Sequence, residues 1–277
     1  MQCARLAGRL HLDGAASLWF FIRYRDPDDH IRLRFKGTPE SLVDVVLPEV
    51  VRLVKDLEAR GLVGWFAVGS YERELLRYGG STGLSLAEQF FCGDSIFVAE
   101  AWMLGSSPRP LALDSDGLSL LSIWHLMRCF DAAGVPCVDD VLRDNGAARR
   151  STSEEYRAGR HRFYRFVCDH EFDTEHADQR LKRALARRRR ALSSVAGEIM
   201  RVDQQGRLHA APKSVFASLV HMHCNRILGV DRAAEARAMG LVLRLREWFR
   251  SPGRNAFLRS YHDDAYRRST AMGLQPA

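Results

Sequence analysis

Lysine is nearly missing from this chain. Only four of its 41 basic residues are lysines (Lys36, Lys55, Lys182 and Lys213), so almost all of its positive charge is guanidinium. A guanidinium stays charged at any working pH and grips carboxylates or phosphates through two parallel N–H groups. A GC-rich genome produces the same bias, which limits what it says about function. Closely spaced cysteines are also missing. Cys3, Cys92, Cys129, Cys137, Cys168 and Cys224 are scattered, with no CxxC pair. That argues against structural zinc and reads as reduced cytosolic thiols packed as small hydrophobes, so the expected location is cytoplasmic. No apolar run reaches the roughly 18 residues that would cross a bilayer, and no membrane partner is expected. Met1-Gln2-Cys3-Ala4-Arg5 leads into no signal-peptide core. P-loop, GxGxxG and HExxH motifs are absent, which weakens nucleotide-binding and zinc-protease readings.

What is present is a chain of 277 residues with 46% apolar content, enough for one large core or two small ones. Its net charge of +7 suits an acidic peptide, a carboxylate substrate or tRNA, without choosing among them.

The most informative stretch runs from Trp19 to Phe35, WFFIRYRDPDDHIRLRF. It reads as two strands, 18–24 and 31–35, joined by an Asp/Pro turn. Side chains alternate along a strand, so Arg32 and Arg34 share one face while Ile31, Leu33 and Phe35 share the other. Two guanidinium groups two residues apart repel each other and call for an anion. Thr38-Pro39-Glu40 opens a helix, with Thr38 as N-cap and Pro39 at the first helical position. Apolar positions from Leu42 to Leu57 keep helical spacing as far as Gly61. Leu62 to Ser70 reads as a third strand. Helices are expected over 85–104, 116–134, 178–201, 212–228 and 232–250, with loops at 105–115 and 143–160. The fold class is α+β: a mixed sheet with a hairpin in the N-terminal half, packed with helices, and a mostly helical C-terminal half. With no repeat and no linker, residues 1–277 read as one domain.

Three clusters carry candidate chemistry. The first is Arg32 and Arg34. The second is Tyr71-Glu72-Arg73-Glu74-Leu75-Leu76-Arg77-Tyr78-Gly79-Gly80. The third is His221-Met222-His223-Cys224-Asn225-Arg226, inside a helix. Each also has a plain structural reading. The arginines suit a solvated sheet face. Glu74 and Arg77 suit an i,i+3 surface pair. His221 suits a satisfied core histidine, with Asn225 one turn away on the same face to orient it or simply bond it. Arg187 to Arg190 covers every side of one helical turn and reads as solvated, with contact to acidic peptide or RNA phosphate as the alternative. His125 reads as core.

Taken together, WFFIRYRDPDDHIRLRF, YERELLRYGG and HMHCNRILG resemble the C-terminal domain of lantibiotic dehydratases, also found as stand-alone proteins of thiopeptide and lanthipeptide biosynthesis. The resemblance runs from about Leu18 to Arg250. It implies a lyase that eliminates glutamate from glutamylated Ser or Thr of a precursor peptide, giving dehydroalanine or dehydrobutyrine. A related branch closes a six-membered ring by a formal [4+2] reaction. A non-catalytic peptide-binding role is the third reading. No metal or organic cofactor is implied. The implied partners are the precursor peptide, leader and core, and a glutamyl-tRNA-dependent glutamylating protein, with a homodimer left open. Matched residue by residue, the resemblance places the elimination positions at Arg32, Arg34, Glu74, Arg77 and His221, with His221, Arg34 and Arg77 as catalytic groups and Arg32 and Glu74 on the substrate side, to which Asn225 is added as a further substrate-binding candidate. Such domains usually begin with a further strand and helix. Here about 17 residues precede the hairpin, and Met1 to Ser17 shows no clear pattern of that kind. A truncated start, or an exposed sheet edge open to strand addition, is the expectation.

Overall fold

The computed structural model describes residues 2–111, 113–146, 154, 156–159, 163–164, 167–169 and 177–251. Helix α1 (Gln2–Leu12) comes first, with Leu6, Ala7 and Leu10 buried. These three residues form a short apolar stripe interrupted by Gly8, too brief to stand out in the sequence.

Strands β1 (Leu18–Tyr24) and β2 (His30–Lys36) then form an antiparallel hairpin, with Phe20 opposite Arg34 and Ile22 opposite Arg32. Helix α2 (Pro39–Ser41) starts where Thr38 accepts the Ser41 N–H at 3.2 Å. A π-helical turn (Leu42–Val46) follows, then α3 (Leu47–Ala59). The remaining helices are α4 (Gly80–Gly105), α5 (Ser115–Ala132), α6 (Val138–Asn145), α7 (Gln179–Gln204), α8 (Pro212–Leu228) and α9 (Arg232–Phe249). The stretch 143–160 enters α6 as far as Asn145 and otherwise lies mostly outside the described residues.

Leu62 to Ser70 forms no strand. The described residues hold a single sheet of two strands. A strand needs a neighbour's N–H and C=O groups. The outer edge of β1 has none to offer. Phe21 N–H donates to Ser95 Oγ at 3.3 Å, and Phe21 C=O accepts from Arg226 Nε at 3.0 Å. Asn225 closes the next position, its Oδ1 accepting the Arg23 N–H and its Nδ2 donating to the Arg23 carbonyl, both at 2.9 Å. The apolar run instead passes over the surface with Leu62, Trp65, Phe66 and Val68 exposed.

The hairpin is a wedge between two apolar clusters. Phe20 packs with Phe91 and Tyr78 in one, while Trp19 and Phe21 pack with Cys92 and Phe97 in the other. Each such aromatic, moved from water into the core, contributes about 1.5–3 kcal/mol. Helix α4 is buried over most of its circumference, with Gln89 and Ile96 left exposed. It begins at a turn that demands glycine. Gly79 has φ of 78°, and a Cβ on Gly83 would stand 1.9 Å from the Tyr78 carbonyl oxygen. These glycines hold the Glu74–Tyr78 segment against the bundle.

A charged network lies at the centre. Asp94 accepts from Arg188 at 2.7 Å, from His223 Nδ1 at 2.9 Å and from Arg226 at 3.2 Å, and the side chains of all three partners are fully buried. Arg188 thus departs from the solvated reading of the arginine run. It stands on the stripe of Leu181, Leu185 and Leu192, the one side of that turn that faces inward. Burial alone would raise the Asp94 carboxyl, but His223, Arg188 and Arg226 outweigh it and hold it far below the usual carboxylate range.

Burial lowers the His223 imidazole below its ordinary value, against the pull of Asp94. As pH falls, the unfolded chain takes this proton before the folded one does. Stability is therefore fully present above about pH 6.5 and is lost from there downward, toward the lower folded value, at up to about 1.4 kcal/mol per pH unit. Urea midpoints will fall between pH 7.5 and 5.5, and the drop will shrink in His223→Gln. Equal midpoints in the native chain would refute this.

Candidate active site

The hairpin and the Tyr71–Tyr78 segment meet through aromatic rings. The Arg34 guanidinium lies 4.8 Å from the centre of the Tyr71 ring and 5.7 Å from that of Phe20. Its Nη1 is buried and makes no hydrogen bond. Burial raises the Tyr71 phenol and Glu88 adds to this, while Arg34 opposes it, so Tyr71 stays neutral at physiological pH. Arg32 is exposed and lies 3.8 Å over the Tyr24 ring. Tyr24 in turn stacks on His30, at 5.4 Å between ring centres.

Arg77 is the joint between this group and helix α8. Its Nη1 donates to Glu74 Oε2 at 2.8 Å, and its Nε donates to Ser218 Oγ at 3.2 Å. Burial works against its charge, but Tyr78, Glu74 and Tyr24 outweigh burial and raise its pKa. Tyr78 beside it is pushed up to about 12 by burial. The ion-pair reading of Glu74 and Arg77 is thus correct in geometry, yet Arg77 also bridges to another element.

Ser218, His221 and Asn225 share one face of α8, spanning about 10 Å. Arg77 anchors at Ser218 and the hairpin anchors at Asn225, so His221 lies between the two contact points. His221 Nδ1 is 2.9 and 3.0 Å from the two Glu235 oxygens. Arg232 Nη1 is 2.8 Å from the same nitrogen. A carboxylate accepts and a guanidinium donates, so the two compete for Nδ1. Glu235 is only 7% exposed, while the Arg232 side chain is 75% exposed. The charge-assisted bond to the buried carboxylate is the stronger, which puts a proton on Nδ1 and turns Nε2 away from Glu235.

Arg77 thus joins Glu74 to Ser218, which stands one turn before His221 on α8, while Arg32 and Arg34 lie against the rings of Tyr24 and Tyr71. Asn225 follows His221 on the same face, but not as a substrate group or as the partner of His221. Both ends of its amide are held by the Arg23 backbone. Glu235 was missed in the sequence. Its signal was a charge in register with Met239 and Val242 on the buried face of α9.

A second constellation resembles a hydrolytic triad. Ser122 Oγ is 2.7 Å from His223 Nε2, and His223 Nδ1 faces Asp94. All three residues are 0% exposed, and two arginines already neutralise the carboxylate. It is a core network, closed to any substrate.

Comparison with known proteins agrees with this architecture. Residues 2–246 match the family described as lantibiotic biosynthesis dehydratase C-term. The subtilin biosynthesis protein SpaB of Bacillus subtilis is 30% identical over 231 residues, covering 80% of this chain and 21% of that protein. The nisin biosynthesis protein NisB of Lactococcus lactis subsp. lactis is 24% identical over 217 residues, covering 78% and 20%. The crystal structure of the tRNA dependent lantibiotic dehydratase MibB from Microbispora sp. 107891 matches with a TM-score of 0.73 at 23% identity, over 90% of this chain and 27% of that one. The chain therefore spans about a fifth of the length of the biosynthesis proteins it matches. With nearly its whole length covered by the family's own description, the chain belongs to the lantibiotic dehydratase C-terminal family.

Proposed function

We propose that this chain is a glutamate-eliminating lyase acting on glutamylated Ser or Thr of a precursor peptide. The observation that carries the reading is Arg34 Nη1, buried with no hydrogen-bond partner beside Tyr71. An inaccessible guanidinium N–H without an acceptor calls for a hydrogen-bonded anion, and a glutamyl carboxylate would supply one. Ring closure between two dehydroalanines would bring no such carboxylate to it.

In the proposed step, His221 Nε2 takes the Cα proton of the esterified residue. The freed electron pair forms the Cα=Cβ bond, the Cβ–Oγ bond breaks, and its pair leaves on the glutamyl carboxylate. Arg34 and Arg77 hold that carboxylate and lower the cost of its developing charge. Arg32 adds positive potential at the mouth, and Glu74 fixes the Arg77 guanidinium. Glu235 is a positioning residue: it fixes the His221 tautomer and stabilises the imidazolium that forms.

Incubation with glutamylated precursor, followed by mass spectrometry, tests the reading. Loss of glutamic acid is expected, and an authentic substrate that stays intact would refute it. Glu235→Gln will lower kcat by on the order of 10²-fold with KM little changed, because the amide no longer supports the imidazolium. Glu235→Asp will recover part of that loss. A change confined to KM, or to folding, would remove Glu235 from this role.

A further inference from the structure

The proposed reaction leaves one charge of the substrate without a partner. A glutamyl group has two carboxyl functions. The esterified one departs toward Arg34 and Arg77. The other stays a free carboxylate three carbons away, roughly 5 Å along an extended chain. A cation that reads it must therefore stand close to the proposed base.

Arg232, the first residue of α9, stands there. Its Nη1 is 2.8 Å from His221 Nδ1 and 3.3 and 3.4 Å from the two Glu235 oxygens. None of these contacts holds it firmly. Nδ1 carries a proton toward Glu235, and two donors form no bond with each other. The Glu235 oxygens lie beyond the roughly 2.7–2.9 Å of a strong charge-assisted bond, and they already serve His221 at 2.9 and 3.0 Å. Among the described residues, Arg232 Nε and Nη2 make no hydrogen bond, because every bond of this side chain runs through Nη1. The side chain is 75% exposed. A whole donor edge of the guanidinium is thus unused beside the base. That edge is the one that takes a carboxylate through two parallel bonds.

We propose that Arg232 is the specificity residue for the free carboxylate of the glutamyl group, an inference that rests on the elimination reading. Its Nε and Nη2 receive that carboxylate, while its Nη1 stays turned toward Glu235. The contact selects esters of glutamate over esters of neutral acids. It also accounts for a cation held beside a histidine whose Nδ1 already has a carboxylate partner.

Two peptides test this. Both carry one glutamylated serine, and in the second the free carboxyl of the glutamyl group is capped as its amide. Fluorescence anisotropy gives Kd for each, and mass spectrometry follows loss of the acyl group and gives KM. For the unmodified chain, Kd and KM of the uncapped peptide should be about 10–100-fold lower than those of the capped one, the range of a hydrogen bond to a charged group. Arg232→Ala should bring this ratio close to one. Arg232→Lys should keep part of it, since an ammonium retains the charge without the planar fork. A merely structural role would weaken both peptides alike and leave the ratio unmoved. A ratio that survives Arg232→Ala, or an unmodified chain that treats the two peptides equally, would overturn the inference. If neither peptide loses its acyl group, but the uncapped one still binds more tightly and only while Arg232 is present, the elimination reading fails and the carboxylate site stands.

Discussion

Arg77→Ala and His221→Ala will leave glutamylated peptide accumulating. The loss in kcat should be about 10²–10⁴-fold for the histidine, the usual contribution of a positioned acid or base. For the arginine it should be about 10²–10³-fold, comparable to removing one preorganised donor at a developing anion. Neither change should unfold the protein. The Glu74–Arg77 pair is largely exposed, and such pairs are worth no more than about 1 kcal/mol. His221 is only partly buried, and Arg232 remains beside Glu235 to balance its charge. Single-turnover assays on a purified glutamylated peptide, with a thermal melt of each variant, decide the matter. Full activity in both variants would remove Arg77 and His221 from the chemistry, and an unmodified chain that binds the peptide without releasing glutamate would favour a non-catalytic binding module. Activity only on a peptide already carrying dehydroalanines would favour ring formation.

Asp94→Ala will destabilise the core by about 3–5 kcal/mol. The carboxylate is the only anion among Arg188, Arg226 and His223, and their side chains are all inaccessible to solvent. Removing one member of a buried ion network leaves the others as uncompensated charge, which costs far more than the network itself contributes. Against a total stability of roughly 5–15 kcal/mol, the loss is large enough to unfold a marginal chain. It also reaches the hairpin. Arg226 bonds Asp94 and the Phe21 carbonyl together, so its release loosens the closed edge of β1. Urea unfolding, together with amide exchange at Phe21 and Arg23, will show both effects. A loss below about 1 kcal/mol would mean that water or rearrangement satisfies the arginines.

Local pattern made part of the site legible. The alternation in WFFIRY and HIRLRF sets which residues share a face, and the register keeps Arg32 and Arg34 together. Thr38 and Pro39 start a helix where the cap and the fixed proline φ favour one. Helices α8 and α9 lie within a residue of their expected spans, because Pro212, Gly229 and Asp231 punctuate them. The repulsion between paired arginines is likewise a property of the sequence alone.

What closes on that pattern is tertiary. Leu62 to Ser70 has the composition of a strand but pairs with none, although Trp65 comes within 6.5 Å, ring centre to ring centre, of His30 at the start of β2. Arg188 differs from its neighbours Arg187, Arg189 and Arg190 only in the side of α7 it occupies, and its partner Asp94 is 94 residues away. His221 shares a helix face with Asn225, yet its partner is Glu235 on the next helix, while Asn225 turns to Arg23, 202 residues distant. Periodicity sets which face of an element is apolar, because that depends only on local geometry. Which charges meet depends on how the elements pack, since a buried polar group takes whichever partner the closed chain brings within about 3 Å.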